Sequence, residues 1–423
     1  MRFKKTVLSN GLRVITVPAK GNPAVMVLVL VEAGSNYESK EQNGLSHFLE
    51  HMCFKGTGMR PKASDIAKEL DSLGAQNNAF TSHEFTGYYA KAAKKHFKKI
   101  FEIISDLYLD PTLPEADLEK ERGVILEEVN MYEDLPQRKV WQVLGELMYD
   151  NQPAGRPVIG PKENIKKFTR QDFVDYRNKH YVASKTIVVV AGDIAEQVVL
   201  KEVKKNFKDI QKGKKISKLP VKEKQSSPSL LIHKKKTDQA HMVLGFRTFG
   251  AKDKRGPALN LLAEILGKGM SSRLFSKLRD EMGACYYVRA SHGRHTDHGL
   301  FSISTGINAS RTEEVLKVLL EECEKLVQTL VQMEELLKAK EHHIGHLYMD
   351  LETTDALAEF YGEEEIEQGS LKTPEEIERE VRKITAKDIM KVAKLIFRKS
   401  NLNLAIVGNI KNQQAIKKVL TFK

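Results

Sequence analysis

Cysteine is scarce in this chain of 423 residues: Cys53, Cys285 and Cys323 are odd in number and far apart. That excludes a disulfide framework and points to reduced thiols in a cytoplasmic protein. Long apolar runs are missing too. No stretch reaches the roughly 18 residues of a membrane span, and AVMVLVLVEAG, from Ala24, has strand length and ends in charge. The opening MRFKKTVLSNGLRVITVP lacks the apolar core of a signal segment and enters an alternating strand pattern around an Asn-Gly turn, so export is not indicated. A phosphate loop is absent as well. LGKGMSS lacks the first glycine at the required spacing and has Gly269 where Ser or Thr must follow the lysine.

What is present is an ordinary globular composition, 41% hydrophobic and 29% charged, long enough for two to four domains. The net charge of +12 raises nucleic acid, membrane surfaces and acidic peptides as partners. The lysines, however, are interleaved with glutamates, as in KKHFKKIFE and EEIEREVRK, and no aromatic-spaced basic motif accompanies them. They read as solvated helix faces, with neither nucleic acid nor membrane expected as a partner.

The chain repeats itself. Thr169–Ile194 and Thr385–Ile410 align without a gap, matching Thr169 to Thr385, Asp172 to Asp388, Ser184 to Ser400 and Gly192 to Gly408. Each copy reads as a Thr-capped helix, a short loop and an apolar strand closed by Gly. The fold class that follows is α+β, with two homologous domains, each a mixed, largely antiparallel sheet flanked by helices. The expected division is 1–210, a Lys/Ser/Pro-rich linker over 211–229, and 230–423. QAHMVLGFRTFG restarts the second copy as AVMVLVLVEAG does the first.

Chemistry concentrates in GLSHFLEHMCFKGTG, residues 44–58. On a helix, His47, Glu50 and His51 stand at i, i+3 and i+4 on one face, where two imidazoles one turn apart can share a zinc ion. The intervening glutamate is then placed to take a proton from a water on the metal. In the second copy His47 becomes Leu261, Glu50 becomes Glu264 and His51 becomes Ile265, so the fold does not need histidine there. A third ligand should be a carboxylate from another helix, and PEADLEKERGVILEEVNMYED, from Pro114, supplies candidates. Glu121 and Glu128, seven apart, share a face. Glu127 lies about 100° round the helix from Glu128, so the two cannot substitute for each other.

HFLEHMCFKGT, with its spacing to EKERGVILEEV, resembles the inverted zincins of the pitrilysin family, which includes mitochondrial processing peptidase and insulin-degrading enzyme. The resemblance runs through nearly the whole chain and implies one zinc ion held by His47, His51 and Glu128. It makes Glu50 the general base and Glu121 a supporting carboxylate. QNNAFTSHEFTGYY resembles the family's edge strand, implying that Asn78, Ala79 and Phe80 hold a substrate peptide by backbone pairing. GKGMSSRLFSKLRDEMGACYYV resembles the segment carrying the family's Arg and Tyr pair. Their separation of seven selects Arg279 and Tyr286, and the resemblance implies that these orient substrate and stabilise the oxyanion. The chain departs from the family pattern in having Cys285 before that tyrosine and a second tyrosine, Tyr287, after it.

The implied function is a zinc metalloendopeptidase acting on short or unfolded peptides in a closed chamber, as a homodimer, since this chain carries both the zinc and the Arg/Tyr elements. The alternative is a non-catalytic peptide-binding or assembly subunit of the same fold. Two other histidine groups, His292/His295/His298 and His342/His346, have no companion carboxylate motif and are not expected to bind metal. Cys53, two residues beyond His51, reads as a small buried residue, with sensitivity to thiol reagents as the competing expectation.

Overall fold

The computed structural model describes residues 2–422. The first sheet has six strands: β1 (Lys4–Val7), β2 (Arg13–Pro18), β3 (Ala24–Val31), β4 (Gln76–Thr81), β5 (Thr86–Ala93) and β6 (Thr186–Gly192), in the order β1-β2-β6-β3-β5-β4. The second has β7 (Ser229–His233), β8 (Ala240–Thr248), β9 (Cys285–Arg294), β10 (Gly299–Ile307) and β11 (Leu402–Val407), in the order β7-β11-β8-β10-β9. Removing β1 leaves the same five-strand order in both. In each sheet one neighbouring pair is parallel, β2 with β6 and β7 with β11, and the remaining pairs are antiparallel. The α+β class with two homologous, mixed sheets is therefore as the repeat implied.

The repeat is visible in atomic detail. Thr169 caps the helix Arg170–His180 and Thr385 caps Ala386–Ile396, each accepting from the backbone N–H three residues on while Asp172 or Asp388 reaches back. The glycines that close the following strands, Gly192 and Gly408, have φ of 153° and 158°. A Cβ at either would come within about 3.0 Å of Val25 or Ala240, at the start of the strands β3 and β8. Glycine is required at both places by the same close approach.

Two helices depart from the division at 211–229. The chain forms two compact units. One comprises residues up to Asn130, Arg156–Leu219 and Asp350–Thr373. The other comprises Met131–Gly155, Pro220–Met349 and residues from Pro374 on. The helix Pro136–Tyr149 thus belongs with the second sheet, where Val140, Val143, Leu144 and Met148 pack on Val243, Ala405 and Val407. The helix Thr354–Glu367 belongs with the first, against β3 and β6. Gly362 lets it approach so closely that a Cβ there would stand 2.4 Å from Leu30. The physical reason is two-sided burial. β3 is covered on its other side by the helix Phe97–Leu109, so its run of apolar residues is continuous rather than alternating. No helix among the described residues is long and apolar enough to cross a membrane.

Because both caps make the same bonds, Thr169→Ala and Thr385→Ala should each cost about 1 kcal/mol. Thermal or denaturant unfolding, with one probe in each unit, would check this. A loss at one position without a comparable loss at the other would break the equivalence.

Candidate metal centre

The helix Leu45–Cys53 starts without a side-chain cap of its own, because Gly44 sits at φ 101° against the backbone of Ile159 and Gly160. Glu38 does the capping instead. Its buried carboxylate accepts from the N–H of Gly44 (2.9 Å) and of Ser46 (2.7 Å), and from Asn43 Nδ2 (3.1 Å). Burial raises the Glu38 pKa against these bonds, and the helix terminus holds the group in place. Ser46 then shares a 2.7 Å hydrogen bond with the Tyr176 hydroxyl, tying this helix to Arg170–His180.

This helix carries His47, Glu50 and His51 together, and the helix Glu115–Asp134 brings Glu128 to them. Glu128 Oε2 lies 3.7 Å from His47 Nε2 and 3.7 Å from His51 Nε2. One donor atom from each of the three falls within 4.8 Å of the others, the one group of three metal-capable side chains among the described residues. A tetrahedral zinc ion with arms of about 2.0–2.1 Å wants donors about 3.4 Å apart, so the three residues fit it with small movements. Burial, followed by the neighbouring His51, lowers the His47 pKa to about 3, which keeps its imidazole neutral, as a ligand must be.

Glu121, seven residues earlier on the same helix, lies beside His51. The His51 Nδ1–H donates to its Oε1 at 2.8 Å, which leaves Nε2 facing Glu128. Lys55 holds the other oxygen at 2.5 Å. Burial pushes the Glu121 pKa up, but His51 and Lys55 outweigh it and the carboxyl ends below its usual value. Burial likewise opposes charge on His51, and Glu121, Glu50 and Glu128 together raise its pKa above the usual imidazole value. Glu127 is exposed and bonds Asn130 instead. Glu50 is 8% exposed, and Thr81 donates to its Oε2 at 2.5 Å. Burial sets the Glu50 pKa above the usual carboxyl value, and the Thr81 bond pulls the other way.

Thr81 is the last residue of β4, which pairs with β5 and is otherwise the free edge of its sheet. Asn78, Ala79 and Phe80 lie on that edge strand, with Phe80 filling the space opposite Gly87. In the second unit, Arg279 donates to the Tyr286 carbonyl and its guanidinium lies 4.8 Å from the Tyr286 ring centroid. Tyr286 is 75% exposed. Tyr287 is instead committed to His241 Nδ1 at 3.1 Å. Cys53 is fully buried beside the Tyr88 hydroxyl, with its thiol pushed up to about 11 by burial, which favours the small-buried-residue reading over a reagent-sensitive thiol.

Thr81, Lys55 and Glu38 were not singled out in the sequence. The first two carry no motif, and a cap normally sits at the residue before its helix rather than six positions ahead of Gly44.

Residues 13–162 match the family described as Insulinase (Peptidase family M16), and residues 167–342 match the Peptidase M16 inactive domain. Similar proteins include the uncharacterized zinc protease YmxG of Bacillus subtilis, 33% identical over 399 residues, covering 93% of this chain and 96% of that one. An uncharacterized zinc protease of Rickettsia felis is 33% identical over 407 residues, 96% and 97% of the two chains. Among solved structures, a protease from Helicobacter pylori superimposes with a TM-score of 0.89 at 24% identity, over 96% of this chain and 99% of that one, a likeness of fold. The family matched and the names of these relatives are those of metallopeptidases. The chain belongs to peptidase family M16.

Two substitutions separate the parts of this site. Glu121→Gln should weaken zinc affinity about ten- to a hundredfold in a competition titration with a chelator while leaving the fold intact. Thr81→Val should leave zinc affinity unchanged but lower kcat for a test peptide about tenfold or more, with Thr81→Ser restoring it. Equal zinc loss in both variants would contradict this separation.

Proposed function

We propose that this chain is a zinc-dependent endopeptidase that cuts short or unfolded peptides. The observation that carries the reading is Glu50, a buried carboxylate on the same helix face as two imidazoles that converge on Glu128, with its own oxygen fixed by Thr81. Zinc, when bound, acts as a Lewis acid that lowers the pKa of water to about 7. Glu50 takes the proton of the attacking water and later passes it to the leaving amine.

The free edge of β4 suits an extended peptide, which would add as a further strand along Asn78, Ala79 and Phe80 and bring its own main-chain hydrogen bonds. Such pairing reads backbone more than side chains, so loose sequence preference is expected. Arg279, cationic and half-buried, and Tyr286, phenolic and exposed, are assigned to orienting substrate and stabilising the oxyanion. One zinc ion per chain, a closed chamber formed by a homodimer and a cytoplasmic location complete the reading. The possession of both the HxxEH and the Arg/Tyr elements by a single chain supports identical subunits.

The test is cleavage of a quenched unstructured peptide by metal-stripped protein, by zinc-restored protein and by Glu50→Gln. Zinc should restore cleavage. The variant should bind zinc as tightly as wild type while losing about 10²- to 10⁴-fold in kcat. If zinc-loaded wild type binds peptides but cuts none of a varied panel, the chain is a binding or assembly subunit instead.

A further inference from the structure

The second unit carries a histidine pair with the geometry of the first unit's. His342 and His346 stand one turn apart on the helix Met333–Asp350. Their ring centroids are 4.4 Å apart with planes at 52°, against 4.7 Å and 58° for His47 and His51. His342 Nδ1 lies 2.8 Å from a carboxylate oxygen of Glu264, just as His51 Nδ1 lies 2.8 Å from Glu121. The companion carboxylate that no motif around EHHIGH announces is therefore present in space, 78 positions away.

That carboxylate is built in. Glu264 is 5% exposed, on the helix Gly256–Gly267, and also holds His343 Nδ1 at 3.1 Å and Lys268 at 3.2 Å. Burial pushes its pKa up, but His343, Lys268 and His342 outweigh burial and bring it down to about 2, so it is ionised and acts as an acceptor. The bond to Glu264 fixes the proton of His342 on Nδ1 and leaves the lone pair of Nε2 outward. In front of Nε2 stands Gly269, with φ of 82°, where a Cβ would lie 3.0 Å from that nitrogen. The glycine keeps the approach open. His346 is exposed on the same face, whereas His343 has its Nε2 within 3.4 Å of Asn260.

We propose that His342 Nε2 and His346 form a second metal site, for borderline divalent transition ions such as Zn²⁺, Ni²⁺ and Cu²⁺, with Glu264 as the outer partner that orients His342. Two protein ligands leave the remaining positions to water, so this site binds more weakly than the first, and Cu²⁺ binds it most tightly of the three. Glu264 occupies the repeat position of Glu50. The duplicated unit has thus exchanged the roles of its helices: the carboxylate comes from the helix equivalent to Leu45–Cys53, and the imidazoles from the helix Met333–Asp350.

The test uses full-length protein with zinc alone as the probe, by equilibrium dialysis. Wild type should show a tight equivalent and a weaker one. His346→Ala, at an exposed position, should lose the weaker and keep the tight one, and Glu264→Gln should weaken it about tenfold or more with both imidazoles still present. Cu²⁺ added to zinc-loaded wild type should give a paramagnetic resonance spectrum with coupling to two imidazole nitrogens, lost in His346→Ala. Absence of a second equivalent in wild type, or its survival unchanged in His346→Ala, would overturn the proposal. Neither readout depends on peptide cleavage.

Discussion

Three carboxylates, Glu50, Glu121 and Glu128, converge on two partly buried imidazoles, and this concentration of acceptors around two rings is the constraint on which the rest of the first unit depends. Lys55 answers Glu121, and Thr81 answers Glu50. Glu128 faces both Nε2 atoms from 3.7 Å, too long for a hydrogen bond and close to what a shared cation needs. Burial lowers the His47 pKa and raises that of Glu50. A divalent ion placed among them would supply positive charge facing these carboxylates. The scaffold bears that arrangement by fixing the helix Leu45–Cys53 at its start with Glu38, along its side with Tyr176 through Ser46, and at the face carrying Glu50 with Thr81.

Duplication separates what the fold needs from what the chemistry needs. Both units keep the five-strand order, the Thr-capped helix and the glycine that ends the strand after it. At the positions of His47 and His51 the second unit has Leu261 and Ile265, both buried in its core. The fold therefore does not need histidine at those places. Glu264 is kept but turned to a different use, anchoring histidines from a neighbouring helix.

Much of this was legible in the chain because the signals are local. HFLEH places its donors by helical periodicity alone, and seven-residue spacing puts Glu121 and Glu128 on one face while leaving Glu127 outside. The gapless match of Thr169 to Thr385 and Gly192 to Gly408 gave the duplicated architecture. What was not legible is long-range. The apolar stripe of Pro136–Tyr149 announces a buried face but not which sheet it covers, and the same holds for Thr354–Glu367. Thr81, thirty-one positions from Glu50, and Glu264, seventy-eight from His342, become partners through sheet and helix packing that no short motif encodes.

The most direct measurement is zinc X-ray absorption on protein loaded with a single equivalent of metal. The account predicts a shell of nitrogen and oxygen at about 2.0–2.1 Å, with outer-shell scattering from two imidazoles. A sulfur at about 2.3 Å, or a shell without two imidazoles, would contradict it.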